Sequence, residues 1–275
     1  MKYFFIIAPF LLCDISLQAQ LFQDAGAIST SMAGLNANNN NVWSVNNNIG
    51  QLSKIEYATI SISSFQPFLI KDFSTSNIVL GMPVNEGALG FNYSNSGNKH
   101  LQMHNLGIGY SKKMGSNFHS GIKVNYSIIN AGDFYNKRSV LNADLGMSAA
   151  LSKELEIGVI IKNATLSKIA EYNNERLTTN FQIGASYHFS KDLIVQTGLE
   201  KNINYPASFL AAINYKPNEK IIINGGIASN PSLAAFGISL IQKKFTLSFA
   251  TQIHQYLGWS PDISVSYTHL TLPTT

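Results

Sequence analysis

Leu141-Asn142-Ala143-Asp144-Leu145-Gly146-Met147-Ser148-Ala149-Ala150-Leu151 decides the fold. Apolar side chains occupy every odd position. Polar or small ones occupy the even positions up to Ala150. Successive side chains of an extended strand point to opposite faces, so this run makes one greasy face and one polar face. It is about as long as a tilted strand must be to cross the hydrocarbon of a bilayer. The pattern recurs. Ile122, Val124, Tyr126 and Ile128 alternate with Gly121, Lys123, Asn125 and Ser127. Phe181 to Phe189 and Phe245 to Ile253 repeat it. A soluble sandwich rarely sustains so many runs of this length.

Composition agrees. Hydrophobic residues make up 45% of the 275, yet charged residues are only 12%. That is about half the charged share of an ordinary soluble domain. Asn, Ser, Thr, Gln and Gly carry the polarity instead. No apolar stretch approaches the ~20 residues of a membrane helix. The expected class is all-β: a transmembrane antiparallel β-barrel with lipid outside and a polar interior. The net charge of +4 is mild and scattered, with no basic stripe for nucleic acid.

Strands are expected near 57–65, 73–83, 87–95, 100–112, 118–129, 139–152, 155–163, 178–189, 193–202, 207–216, 220–228, 232–242, 244–254 and 260–267. The count is about 14. The connections fall into two sets. After even strands they are tight and polar, as at Asn85-Glu86, Lys153-Glu154 and Lys191-Asp192. After most odd strands they are longer, as at 66–71, 130–138 and 164–177. Outer-membrane barrels place short turns on the periplasmic side and longer loops outside. The expected location is therefore the outer membrane of a Gram-negative bacterium, with its lipid as the surrounding partner. A phase change near His104-Asn105 predicts a bulge. Ile221–Ile223 and 237–241 are apolar on both faces and predict a packed interior there. Tyr57, Phe65, Tyr93, Tyr110, Phe118, Tyr187, Phe189, Tyr215 and Phe245 fall near strand ends, where they could form interface girdles.

The ends read differently. Residues 1–19 have the layout of a secretory signal peptide: Lys2, an apolar run from Tyr3 to Leu12, and a cut expected after Ala19. Cys13 is the one cysteine of the chain and lies in this leader. Leu12 before it is not the small residue a lipoprotein site wants. Losing the leader would leave no thiol for catalysis or zinc. At the other end, 265–275 read as the translation of a transposon-end sequencing adapter. The barrel proper is expected over 56–267, with its native ending replaced.

Residues 20–55 lack alternation. Ala25 to Gly34 is small and predicts a short helix. An Asn tract and the run Val42-Trp43-Ser44-Val45-Asn46-Asn47-Asn48-Ile49-Gly50-Gln51-Leu52 follow. This order, with Ser31-Met32-Ala33-Gly34 before it, resembles the N-terminal segment of the FadL-like outer-membrane barrels. That superfamily includes fatty-acid transporters and the PorV/PorQ proteins associated with type IX secretion. Asn47 stands where that family carries proline. The resemblance implies a fourteen-stranded barrel whose N-terminal segment is a lumenal plug, with Trp43, Asn46, Asn47, Gly50 and Leu52 as its motif. It leaves two classes of partner: secretion-machinery proteins, or hydrophobic small molecules passing through the barrel. The shortness of the chain leaves small loops and favours the PorV/PorQ-like reading, a barrel serving protein export, over the channel.

A third reading, a barrel hydrolase, finds little support. His100, His104, His119, His188 and His254 sit in no hydrolase or metal spacing. His100 and His104 would lie roughly 13 Å apart on one strand. No cofactor is expected and no residue is assigned to catalysis. The candidate lumen-facing charges are Lys123, Asp144, Lys162, Glu200 and Asp262, with ion pairs across the lumen as their simplest role.

Overall fold

The computed structural model describes residues 25–132, 137–169 and 176–269. The expected signal peptide at 1–19, residues 20–24 and residues 270–275 lie outside them. Within them a lumenal segment comes first, holding a short helix, α1 (Ala27–Ser31), and two 3-10 turns at Val42–Val45 and Ile49–Lys54. The barrel follows: β1 (Ala58–Phe65), β2 (Thr75–Val84), β3 (Gly87–Gly97), β4 (Gln102–Met114), β5 (Phe118–Asn130), β6 (Arg138–Ala150), β7 (Leu155–Lys162), β8 (Asn180–His188), β9 (Leu193–Asn202), β10 (Ser208–Asn218), β11 (Ile221–Ala228), β12 (Leu233–Gln242), β13 (Phe245–His254) and β14 (Gly258–His269). Each strand pairs antiparallel with its sequence neighbours. β1 also pairs with β14, so the sheet closes. At the seam Ile62 stands between Ile78 and Val265.

Closure follows from the solvent. Among the described residues no helix is long and apolar enough to cross a membrane; the outward apolar belt is carried by the strands. An open edge in lipid would strand backbone donors and acceptors at several kcal/mol each. The period-2 pattern then sorts the side chains. In β4 the odd residues Asn105, Gly107, Gly109 and Ser111 are buried in the lumen, while Leu106, Ile108 and Tyr110 face out. Ile108 is 60% exposed, which water would penalise and lipid does not. The same belt runs through Ile122, Val124, Leu141, Leu199, Phe209, Phe236 and Ile263.

The bulge expected at His104-Asn105 is absent. β4 pairs without a register shift on both sides. The apparent phase change has another cause. His104 faces outward beside Tyr93, whose hydroxyl lies 2.9 Å from its Nδ1. Asn105 stays in the lumen between Asn92 and Ser127. The irregularity falls instead between Tyr215 and Asn218 in the β10–β11 ladder. Phe65 is a second correction. It shares the lumen face with Ser61 and Ser63 and is buried, so it cannot join an outer girdle. Tyr57, Tyr93, Tyr110, Phe118, Tyr187, Phe189, Tyr215 and Phe245 are exposed on the outside. Residues Val265–His269 continue β14 in register with β1, and Val265–Tyr267 also pair with β13.

Candidate functional site

The lumen holds two things, a plug and a cavity on the long-loop side of it. The plug is residues 25–55. Two apolar clusters anchor it. Trp43, Val42, Val45, Ile49 and Leu52 pack with Ala25 and with Val79 and Ala88 of the wall. Met32 and Leu35 pack on Leu210 and Ala212 of β10. Trp43 lies under Gly26, whose φ of +93° and absent side chain both suit glycine, since a Cβ there would sit 2.5 Å from the indole.

The wall makes room with glycine. A Cβ on Gly90 would meet Leu52 at 2.8 Å, and one on Gly109 would meet Ile49 at 2.6 Å. On Gly146 it would meet Asn48 at 2.3 Å, and on Gly158 the Ala37 carbonyl at 2.0 Å. On Gly198 it would meet Leu35 at 2.6 Å, on Gly226 Met32 at 2.5 Å, and on Gly237 Ser31 at 2.5 Å. With Gly121 of β5, which meets Ile49, and Gly184 of β8, which meets Ala37, these glycines occupy every strand from β3 to β12 except β10. The plug therefore runs round the lumen against the order of the strands. Of the stretch expected to be packed at 237–241, Gly237 meets the plug, while Ser239 Oγ lies 2.7 Å from Ser248 Oγ of β13.

Irregular backbone at membrane depth must find partners within the protein. The asparagines supply them. Asn41 caps the first 3-10 turn through the Trp43 amide, and Asn48 caps the second through the Gly50 amide at 3.0 Å. Asn48 Nδ2 also donates to the carbonyls of Ala37 and Met147. Asn47 makes a two-point clamp on Ala25: its Oδ1 accepts from the Ala25 amide at 3.1 Å and its Nδ2 donates to the Ala25 carbonyl at 3.0 Å. A proline could make neither bond.

Two polar ties hold the plug to the wall at the short-turn end. Lys54 is ion-paired with Glu156, which also accepts from Gln51 Nε2 at 2.6 Å. Ser53 Oγ lies 2.7 Å from His119 Nδ1 and 3.2 Å from the Gly50 carbonyl. That carbonyl can only accept. With the serine proton on it, the imidazole is the donor, and a histidine donating to serine is no base for it. The pair acts as a tether. Among the described residues no group of three or more His, Cys, Asp or Glu could hold a metal.

The cavity, about 260 Å³, opens on the long-loop side. Its floor is plug: Ser29, Thr30, Ala33, Gly34 and Asn46. Lys123, Asp144, Lys162 and Glu200 line it. Lys123 and Asp144 are cross-strand neighbours 3.3 Å apart, so this ion pair runs along the wall and not across the lumen. Lys123 also reaches Asn46 of the plug motif at 3.4 Å. Asp262 sits apart. Its Oδ2 accepts from Thr30 Oγ1 of α1 at 2.7 Å, so it holds the helix, not a cation. Trp43, Asn47, Gly50 and Leu52 lie below the cavity in the packed plug. Sequence reasoning missed Glu156 and Gln182. Gln182 binds the plug on both its amide atoms, Oε1 from the Asn36 amide at 2.8 Å and Nε2 to the Gly34 carbonyl at 2.9 Å. Each occupies a lumen position that alternation does define.

No family model and no curated protein matches the chain. Solved structures do match it in shape. A FadL homologue of Pseudomonas aeruginosa superposes with a TM-score of 0.63 at 10% identity, covering 92% of this chain and 99% of that one. The fold is that of the FadL-type outer-membrane barrels. The toluene transporter TodX of P. putida gives 0.65 at 11% identity over 92% of this chain and 99% of its own. The toluene transporter TbuX of Ralstonia pickettii gives 0.63 at 12% over 89% and 98%. At such identities the FadL-type likeness is one of fold.

Proposed function

We propose that this chain is an outer-membrane channel for hydrophobic small molecules, closed at rest by residues 25–55. The observation that carries the reading is a cavity with an apolar wall, formed by Phe65, Phe68, Leu210 and Leu233, directly above a lumenal plug. The solved barrels of the same fold include transporters of toluene, which supports a solute of that kind. The protein-export reading rested on small loops, which leave little room for a large extracellular region that captures a ligand. The cavity lies within the barrel mouth and needs no such region, so small loops do not weigh against a channel. Export remains the reading to which co-purification of secretion proteins after gentle detergent extraction would return us.

The test is uptake. Proteoliposomes carrying the full mature chain should admit toluene or a medium-chain hydrocarbon faster than protein-free vesicles. Equal rates in the two would remove the channel reading.

A further inference from the structure

The short-turn mouth of the barrel carries its charge on one side. Over β8 to β13 lie Lys191, Lys216, Lys220, Lys243 and Lys244, against Asp192 and Glu219. Around the rest of that mouth the signs cancel: Lys54, Lys112, Lys113 and Lys153 are matched by Glu56, Glu86, Glu154 and Glu156. There Lys54 is bonded to Glu156, and Lys112 lies 3.7 Å from Glu86. Among the described residues none of the five lysines over β8 to β13 forms an ion pair.

The backbone sets these lysines side by side. The β8–β9, β10–β11 and β12–β13 turns are neighbours, because β9 pairs with β10 and β11 with β12. The Lys216 amide donates to the Asp192 carbonyl at 2.8 Å, and the Ile241 amide to the Lys220 carbonyl at 2.7 Å. Gln242 pairs with Phe245, so Lys243 and Lys244 are the whole of a two-residue turn, with Lys243 at a φ of +53°. Lys191, Lys220, Lys243 and Lys244 are exposed. Lys216 lies half-buried in the lumen phase of β10 and adds its charge from the mouth.

What borders these turns is a membrane surface. On the strands that carry them, or directly beside them, Tyr187, Phe189, Tyr215 and Phe245 stand exposed on the outside. Aromatics so placed sit at headgroup level, which brings the turn lysines level with lipid phosphates. Lysines at that level attract anionic headgroups, and the attraction fades within a Debye length. A soluble anion would meet the lysines alone. A phospholipid meets the lysines with its phosphate and the aromatic shelf with its acyl chains.

We infer that the β8–β13 side of this mouth is a docking surface for anionic phospholipids of the periplasmic leaflet, with Lys191, Lys220, Lys243 and Lys244 on the headgroup and Tyr187, Tyr215 and Phe245 along the acyl chains. This is independent of what the lumen carries.

The experiment is titration of fluorescently labelled phosphatidylglycerol and phosphatidylcholine into the full mature barrel in neutral detergent micelles. Phosphatidylglycerol should bind on the order of tenfold tighter at low salt, since each lysine near an anionic headgroup corresponds to about fivefold. The margin should shrink in ~0.5 M salt. The triple variant Lys220→Gln, Lys243→Asn, Lys244→Gln should lose most of the preference; asparagine is used at 243 because it tolerates a positive φ. The matching triple Lys112→Gln, Lys113→Gln, Lys153→Gln removes the same charge from the other side and should keep the preference. Tyr215→Ala should weaken both lipids alike. Equal affinity of the unmodified barrel for the two lipids would overturn the inference. Equal loss in the two triples would reduce the effect to net charge and overturn it as well. So would displacement of the labelled lipid by inorganic phosphate, which would mark an anion surface and no lipid site.

Discussion

Asn47 carries the sharpest single-residue consequence. Its amide replaces water for both backbone groups of Ala25, a buried residue of the lumenal segment. Asn47→Ala removes both bonds and leaves a buried N–H and C=O unmet, at about 1–3 kcal/mol for such a group. The barrel ladder is untouched. The expected outcome is a barrel that still folds but whose N-terminal segment is cut faster by a protease added to the purified protein. Unchanged cleavage would mean that the clamp contributes nothing. Lys123 gives a second case. Lys123→Met leaves Asp144 in a buried site without its cross-strand cation, though still accepting from Asn125, Asn142 and the Asn163 amide. Breaking a buried pair from one side costs about 3–5 kcal/mol. The three remaining donors should hold the loss to the lower end, read as a lowered midpoint in urea unfolding from lipid vesicles. The double change Lys123→Met with Asp144→Leu should recover most of it.

The strands make a different kind of argument, because their two faces answer to different solvents. Ile108→Arg puts a charge on the lipid face of β4 and should cost about 2–4 kcal/mol if it lies near the midplane. Gly146→Val, on the lumen face of β6, fails for another reason: its side chain would enter the space of Asn48 and Gly50. Overpacking of that kind costs about 1–3 kcal/mol. It should loosen the plug while the strands persist, seen as faster proteolysis at unchanged circular dichroism. The strands were legible for the same reason that these two changes differ. Lipid enforces period 2 on every crossing, so Leu141 to Leu151 announces itself and all fourteen strands fall within a few residues of their expected places. His104 misled because an outward polar residue near a rim is tolerated beside Tyr93. Phe65 misled because an aromatic near a strand end reads the same on either face until the phase is followed through Ser61 and Ser63. The plug path was written in the sequence as glycines in the polar phase of successive strands. Its meaning depends on which strands are neighbours and on what the lumen contains. Of the cavity only four lining charges, Lys123, Asp144, Lys162 and Glu200, were legible, through the polar phase of their strands; its shape joins side chains from β1 to β14, which no local pattern gives.

At the level of the whole molecule the plug decides whether the barrel is a container or a path. The cavity lies on the long-loop side and the Lys54–Glu156 tie lies at the other end, with the packed segment between them. A solute leaving toward the short-turn side must displace that segment. Locking it should therefore stop transport without emptying the cavity. A Cβ built on Gly184 of β8 sits 2.8 Å from the Ala37 Cβ of the plug. Backbone movement of roughly 1 Å would bring the pair to the ~3.8 Å of a disulfide. The chain's one native cysteine is Cys13, so on export and removal of the leader the double variant Gly184→Cys with Ala37→Cys has no competing thiol. Oxidised, it should bind toluene as the unmodified barrel does and lose hydrocarbon uptake into proteoliposomes. Reductant should restore uptake. Undiminished uptake by the locked form would show that solute leaves by a route that bypasses the plug, and the segment would then be a structural filling and not a gate.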